Sequence, residues 1–309
     1  MRKAVLIYNP ASGRPHQREY ELRSALEVFR SAGVDAEACA TTGPRTAGEQ
    51  ALRYLRAGAD TVFACGGDGT VNEVLQGVIG TDATLGIIPL GTANALAADL
   101  GIPRNPAAAA RQSLTFSPRA VAAGKITYRT GTRDAQRYFA VTAGIGADAH
   151  LMYKIDPAFK RKYGMSAYYA QATWIWATQP FSVFHAEFCS GDGVRHREIV
   201  TQMLAVRISQ FGGLLRQIAP GAALSKDDLR LVLFKTSSRA RYLAYVMRCM
   251  LQRPWNVPGI ELTDAREVTC EPVATAKRKV YVEADGEALG ELPAHVTTVP
   301  GAMKLLMPA

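Results

Sequence analysis

The sequence predicts an α/β N-terminal domain with a mostly parallel sheet, followed by a β-rich antiparallel C-terminal domain with inserted helices. Three observations carry this expectation. Short apolar runs alternate with helix-length segments through the first hundred residues. Each of four such runs ends in a turn rich in Gly, Ser or Thr. Beyond about Ala120 the segments become extended and rich in β-branched and aromatic residues. Strand–helix alternation implies parallel strands covered by helices, with ligands at the carboxyl ends of the strands.

In order, Ala4 to Tyr8 reads as a buried strand, His16 to Ala32 as a helix ending at Gly33, Asp35 to Ala40 as a strand, and Thr46 to Ala57 as a helix ending at Gly58. Thr61 to Cys65 is a strand, Thr70 to Ile79 a helix, Leu85 to Ile88 a strand, and Ala93 to Leu100 a helix before Gly101 and Pro103. Extended segments follow at Lys125 to Arg129, Arg137 to Thr142, Val183 to Phe188, Ile199 to Ile208, Leu229 to Lys235, Val268 to Cys270, Lys279 to Ala284 and Val296 to Val299. Helices are expected near residues 148 to 178 and 238 to 252. The 309 residues suffice for two cores. The division is placed at 1–122 and 123–309, with the extreme C-terminus free to pack back on the first domain.

The turn after the third strand is the most informative. GGDGTVNE, Gly66 to Glu73, puts three glycines around one carboxylate. Glycine lets a backbone approach a phosphate closely. Thr70 is expected to cap a helix whose first turn holds Asn72 and Glu73, aiming N–H groups and a positive dipole end at an anion. The spacing is neither a Walker loop nor the dinucleotide fingerprint. The other turns, Asn9-Pro10-Ala11-Ser12-Gly13, Thr41-Thr42-Gly43 and Pro89 to Asn94, fall at the same edge. Four polar strand ends on one edge point to a nucleotide site.

Thirty-six Lys and Arg against 27 Asp and Glu leave a charge of +9, which suits an anionic partner. No nucleic-acid recognition motif accompanies it. Five scattered cysteines without a C-x-x-C pair argue against a disulfide framework or zinc site and for a reducing cytosol. The apolar run before Asn9 is too short for an export signal. From Gly164 to Ala186 there is no charged residue, but the segment is too polar for a membrane span and suits a packed or interfacial helix. The basic run Lys160, Arg161, Lys162 before it suits lipid head groups.

Seven stretches together carry a family resemblance: NPASG at 9–13, GGDGTVNE at 66–73, IPLGTANALA at 88–97, TAGIGADA at 142–149, GMSAYYAQA at 164–172, PGAALSKDDL at 220–229 and ADGEALG at 284–290. The chain resembles the soluble bacterial diacylglycerol kinase-like lipid kinases, relatives of the catalytic domains of diacylglycerol, sphingosine and ceramide kinases. GGDGT alone is shared with NAD kinases; the series is more specific. The resemblance implies an NAD kinase/diacylglycerol kinase-like fold and transfer of the γ-phosphate of ATP to a lipid hydroxyl, with Mg²⁺. It places nucleotide contacts at Asn9, Pro10, Ala11, Ser12, Gly13, Thr41, Gly66, Gly67, Asp68, Gly69, Thr70, Val71, Asn72 and Thr92. It makes Glu287 the proton acceptor with Asp285 nearby, and Asp68 a catalytic residue that orients ATP-bound Mg²⁺. It implies a cytoplasmic enzyme, peripheral at the inner face of the membrane, with a lipid substrate and a transient anionic surface as partners, and leaves a homodimer open.

Two departures stand out. Many relatives carry Asp where this chain has Ala95, and the family's Asp-Gly-x-Leu-Asp, which supplies a structural Mg²⁺ site, reads Lys226, Asp227, Asp228, Leu229, Arg230 here. A lysine is no cation ligand. The expectation is that this second metal site is missing and that the Lys226 ammonium supplies part of its charge. A kinase of the NAD kinase type and a catalytically silent binding protein are the competing readings.

Overall fold

In the computed structural model, residues 1–10, 15–154, 173–174, 176–212, 216–252, 256–274 and 278–308 are described, residues 15–18 by backbone alone. Four parallel strands, β1 (Lys3–Tyr8), β2 (Asp35–Ala40), β3 (Thr61–Gly66) and β4 (Thr84–Pro89), lie in the order β2-β1-β3-β4. Helices α1 (Pro15–Ser31), α2 (Ala47–Arg56) and α3 (Asp68–Val78) connect them. Parallel strands covered on both faces read as continuous apolar runs, and β3 and β4 are buried at every residue. Phe29 of α1 lies with its ring centroid 4.6 Å from that of Phe63. Helices α4 (Ala95–Asp99) and α5 (Pro106–Ser113) follow, the latter capped by the Asn105 side chain and opened by Pro106.

Two long strands then join the halves of the molecule. β5 (Ser117–Thr130) pairs antiparallel with β14 (Glu287–Met307), and the far end of β14 pairs parallel with β4 through Lys304 and Leu305. Between them in sequence lie β6 (Arg133–Phe139), β7 (Thr142–Gly146), β8 (Phe184–Ser190), β9 (Arg195–Val200), β10 (Gln202–Val206), β11 (Leu229–Phe234), β12 (Ile260–Pro272) and β13 (Tyr281–Ala284). These pair antiparallel in the order β14-β13-β7-β10-β11-β12-β8-β9, and β12 also pairs with β14. The β-rich half encloses its own core around Ile126, Phe139, Ile145, Met203, Leu231 and Val282. Helix α6 (Ala147–Lys154) leaves β7, and α7 (Arg239–Leu251) covers Leu204 and Phe234 with Tyr242 and Tyr245.

Several elements differ from expectation; the segment Arg137 to Thr142, read as one extended run, is parted at Ala140 and Val141 into β6 and β7. The helix after β3 starts at Asp68 with extended Gly67 as its cap, so Thr70 lies inside the helix rather than capping it. The single strand expected over 199–208 breaks at Thr201, whose hydroxyl donates to the Thr236 carbonyl and pairs with the Tyr242 hydroxyl. The last strand is far longer than Val296 to Val299. Its Pro293 and Pro300-Gly301 interrupt the alternating pattern, and register shifts at both places absorb them. Most of the aromatic 164–178 segment lies outside the described residues. Among the described residues no helix is long and apolar enough to cross a membrane.

Helices α2 and α3 approach through a glycine pair. A Cβ on Gly77 would stand 2.2 Å from the Gly48 carbonyl oxygen, so the two backbones touch. Gly77→Ala should force the helices apart and lower stability by about 2 kcal/mol. Urea unfolding checks this, and an unchanged midpoint would reject the contact.

Candidate active site

The carboxyl ends of β1 to β4 bring the expected polar loops to one edge. Asn9 is half-buried and Pro10 exposed; Ala11, Ser12 and Gly13 lie outside the described residues. Half-buried Thr41 donates its N–H to the Tyr8 carbonyl at 2.8 Å, holding the end of β2 against that of β1. Thr92 is exposed. The loops after β3 and β4 touch directly: a Cβ on Gly91 would stand 2.4 Å from Gly67 Cα, so only glycine fits there. Asn94, at φ 55°, closes its loop by accepting from Gly91 N–H at 3.0 Å and donating to the Gly91 carbonyl at 2.8 Å.

Asp68 joins the same two loops. Its carboxylate accepts the Asn94 N–H at 3.0 Å and the Ala95 N–H at 2.6 Å, across the turn that opens α4. Burial pushes its pKa up, and these amides act against that. Ala95, where the family pattern implies an aspartate, contributes its N–H to this contact. Beside Asp68, half-buried Gly69 forms the first turn of α3, an 11-residue helix whose positive end faces the edge.

At three of the expected nucleotide contacts the side chain is turned away from the edge. Val71 packs in the core and its N–H is taken by the Gly67 carbonyl. Thr70 is buried under Gly66, where a glycine Cβ would strike its side chain. Asn72 is fully buried and faces the other half of the molecule. Its amide donates to the Tyr138 carbonyl at 3.1 Å and to Asp285 Oδ2 at 2.8 Å, and its Oδ1 accepts from Arg137 Nε at 2.9 Å. Sequence spacing puts Asn72 on a helix near the loop, but helical rotation turns it away from the edge.

Asp285 and Gly286 form a two-residue hairpin turn between the paired Ala284 and Glu287, both at positive φ (48° and 81°), the conformation Asp-Gly favours. The Asp285 carboxylate accepts four N–H groups at 2.8–3.0 Å: Asn72 Nδ2 and Ala140 N on Oδ2, Val141 N and Thr142 N on Oδ1. Burial raises its pKa and these donors lower it. Asp285 is therefore a positioning residue rather than a catalytic one, since its oxygens are committed to the fold.

The turn presents Glu287 differently. Its Oε2 accepts from Arg137 Nη2 at 3.0 Å, while Oε1 has no hydrogen bond among the described residues and faces α3: a Cβ on Gly69 would stand 3.8 Å from it. Burial raises the Glu287 pKa, Arg137 lowers it, and Glu73 raises it further. One oxygen is thus anchored by a cation and the other is left open beside a helix N-terminus. Arg137 escaped sequence reasoning because its partners lie 65 and 150 residues away and its own strand, RDAQRYF, resembles a solvated edge.

A cavity of about 440 Å³ opens in the β-rich half, walled by Trp176, Phe181, Leu204, Phe234, Tyr242 and Tyr281. Among the described residues its one acidic wall residue is Asp148. Buried Glu283 meets it: a Cβ on Gly144 would stand 2.6 Å from Glu283 Oε1 and 3.0 Å from Asp148 Oδ2. The other Glu283 oxygen accepts Gly286 N–H at 2.8 Å, so the cavity connects through this pair to the Glu287 turn. Burial lifts the Asp148 pKa to about 6, and burial with the neighbouring Asp148 charge lifts Glu283 well above its usual value. Burial thus favours the neutral forms of both carboxyls.

The sequence profile described as "Diacylglycerol kinase catalytic domain" matches residues 3–126, and that described as "YegS C-terminal NAD kinase beta sandwich-like domain" matches residues 140–307, over half of the chain. The chain belongs to the diacylglycerol kinase-like lipid kinase family. It is 28% identical over 315 residues to a diacylglycerol kinase of Bacillus subtilis, covering 100% of this chain and 97% of that protein. It is 28% identical over 293 residues to a protein of Chromohalobacter salexigens named "Probable lipid kinase YegS-like", covering 93% and 89%. The crystal structure of a diacylglycerol kinase from Bacillus anthracis superposes with a TM-score of 0.72 at 20% identity, over 99% of this chain and 96% of that one, a likeness of fold. In this lipid kinase-family chain the Gly67–Gly69 edge and Glu287 come from opposite halves and meet at the first turn of α3.

Above the unfolded carboxyl values near ~4, the native Asp148–Glu283 pair binds more protons than the unfolded chain. Its contribution to stability therefore falls as pH rises from there through about 6 and beyond. Glu283→Gln should flatten this loss and raise stability at pH ~8 by about 2 kcal/mol. Thermal unfolding across the pH range measures it; an unchanged slope would refute the raised pKa of the pair.

Proposed function

We propose that this protein is an ATP-dependent lipid kinase that transfers the γ-phosphate to a hydroxyl of a diacylglycerol-like or sphingoid-like lipid. The observation that carries this reading is the meeting of Glu287 Oε1 with the first turn of α3, beside a mainly apolar cavity. Backbone N–H groups of that turn and its dipole suit the ATP phosphates, and the close approach of Gly67 and Gly91 brings the two loops together at that edge. Asn9, Thr41 and Thr92 stand at the same edge, with hydrogen-bonding groups for the nucleoside.

Glu287 removes the proton. As the lipid hydroxyl oxygen bonds to the γ-phosphorus, its proton passes to Oε1 and the bond to ADP breaks. Arg137 holds the carboxylate in place through Oε2, and Asp285 holds the turn that presents it. Each Asp68 oxygen takes one backbone N–H and so keeps a lone pair, which fits an Mg²⁺ ion carried by ATP, directly or through water. When bound, that ion would neutralise charge on the β- and γ-phosphates.

The acyl or sphingoid chain would occupy the cavity, entering from an anionic membrane surface. Helix α7 supports that approach. Leu243 and Val246 line the cavity and are also exposed, as are Met247 and Leu251, while Arg239, Arg241 and Arg248 are the helix's only charged residues.

Radiolabelled γ-phosphate should appear in a lipid product when extracted lipids and NAD are offered together; label confined to an NAD product rejects the proposal. Glu287→Gln should lose turnover and keep ATP binding. The acid limb of kcat/KM should rise as Glu287 ionises, above the ordinary carboxylate range. Arg137→Ala should shift that limb to higher pH, because it removes the charge that favours the carboxylate; an unmoved limb would dissociate Glu287 from proton transfer. Met247→Glu should weaken sedimentation with anionic vesicles but spare turnover of detergent-dispersed lipid. Equal vesicle binding would remove α7 from the docking surface.

A further inference from the structure

Arg207, just after β10, is fully buried. A guanidinium in that position ordinarily has a carboxylate partner, yet among the described residues its hydrogen-bond partners are all backbone carbonyls. Nη1 donates to Lys226 O and Asp228 O, both at 2.7 Å, and Nη2 to Ala122 O at 2.9 Å and Leu224 O at 3.5 Å. Three of these oxygens belong to the loop 224–228. The fourth, on Ala122, stands opposite the register shift between Val299 and Met303, where β14 leaves β5 without regular pairing. Asp227 O in the same run accepts from Thr298 Oγ1 at 2.7 Å.

This is the stretch where the family pattern implies a structural Mg²⁺ ion, and the residues here do not fit one. The inward-facing carbonyl oxygens already surround a positive charge. Lys226 is exposed and does not supply that charge, contrary to expectation. Arg230, at the final Asp of the family pattern, turns outward to the Pro220 carbonyl at 2.8 Å and the Asp264 carboxylate at 3.0 Å. Burial lowers the Arg207 pKa while Asp227 and Asp228 raise it, and a guanidinium stays charged through such shifts.

We propose that the Arg207 guanidinium is the resident cation of the 224–228 loop, standing in for a divalent ion and clamping that loop to β5. The clamp lies at the junction of the two halves. Leu224 and Ile208 both pack into the core of the parallel-sheet half, Arg207 N–H donates to the Val141 carbonyl, and Ser209 and Gln210 are held by Asp99 of α4. A rigid five-donor fork satisfies divergent carbonyls without the dehydration that Mg²⁺ resists. The loop is thereby ordered independently of free divalent ion, although catalysis still requires the ion carried by ATP.

The test reads stability and metal content of the full chain, so it stands apart from the kinase reading. The dialysed wild-type protein should contain no stoichiometric divalent metal by elemental analysis, and its Tm should be unmoved by EDTA. A retained stoichiometric ion whose removal lowers Tm overturns the proposal. Arg207→Ala should lower Tm by roughly 5–10 °C, with partial recovery in dilute guanidinium that leaves wild type unchanged. Arg207→Lys, with the charge but not the fork, should fall between them. A Tm for Arg207→Ala equal to wild type, or no recovery with guanidinium, also overturns it. Should the alanine variant fail to fold, the lysine variant and the wild-type metal analysis decide: a lysine variant as stable as wild type refutes the need for the fork.

Discussion

Four N–H groups converging on the Asp285 carboxylate hold the two halves of this molecule in one geometry. Three come from the crossing between β6 and β7, and the fourth is the Asn72 amide of α3. A buried carboxylate is costly unless such donors replace its water; conversely, each donor would lose about 1–3 kcal/mol if left unpaired. The satisfied arrangement therefore specifies one relation between α3 and the hairpin. Glu287 is two residues from Asp285, so the accuracy of its approach to Gly69 follows from this fixed point.

Around it the electrostatics are divided by function. Asp285 spends both oxygens on amide N–H groups and behaves as part of the framework, while Asp68 takes one backbone N–H on each oxygen. Glu287 is held by one charged contact and keeps an oxygen free. Asp148 and Glu283 crowd together where water is scarce, and burial pushes both toward their neutral forms. Similar carboxyl groups thus acquire different capacities from the number and charge of their donors. Arg207 shows the same logic in reverse, a buried cation whose two Nη groups are met by carbonyl dipoles.

The parallel half was legible because its signals are local. Apolar runs, Gly stops and polar strand ends repeat at short range, and the edges of β2 and β3 differ little from the reading. The glycine-rich edge and the importance of the Asp-Gly-Glu turn were legible too, the latter through the family pattern. Long-range consequences were not. Which face of α3 carries Asn72, that Arg137 reaches Glu287, and that Arg207 rather than Lys226 sits among the carbonyls all depend on tertiary placement. Strand β14 was hidden for a simpler reason: prolines and glycines break its alternation, and bulges that restore pairing leave no periodic trace.

That strand also imposes an order on assembly. β4 finds one neighbour, β3, within the first ninety residues; its other neighbour is the stretch Lys304–Leu305, more than two hundred residues later. An emerging chain therefore carries an uncovered strand edge, a surface prone to mispairing, throughout most of its synthesis. The sheet that supports the phosphate edge is finished only when the tail of the β-rich half arrives. Completion of one half is a timing signal for the other, and a chain interrupted before β14 would retain the glycine-rich sequence while lacking both Glu287 and the strand that closes its support.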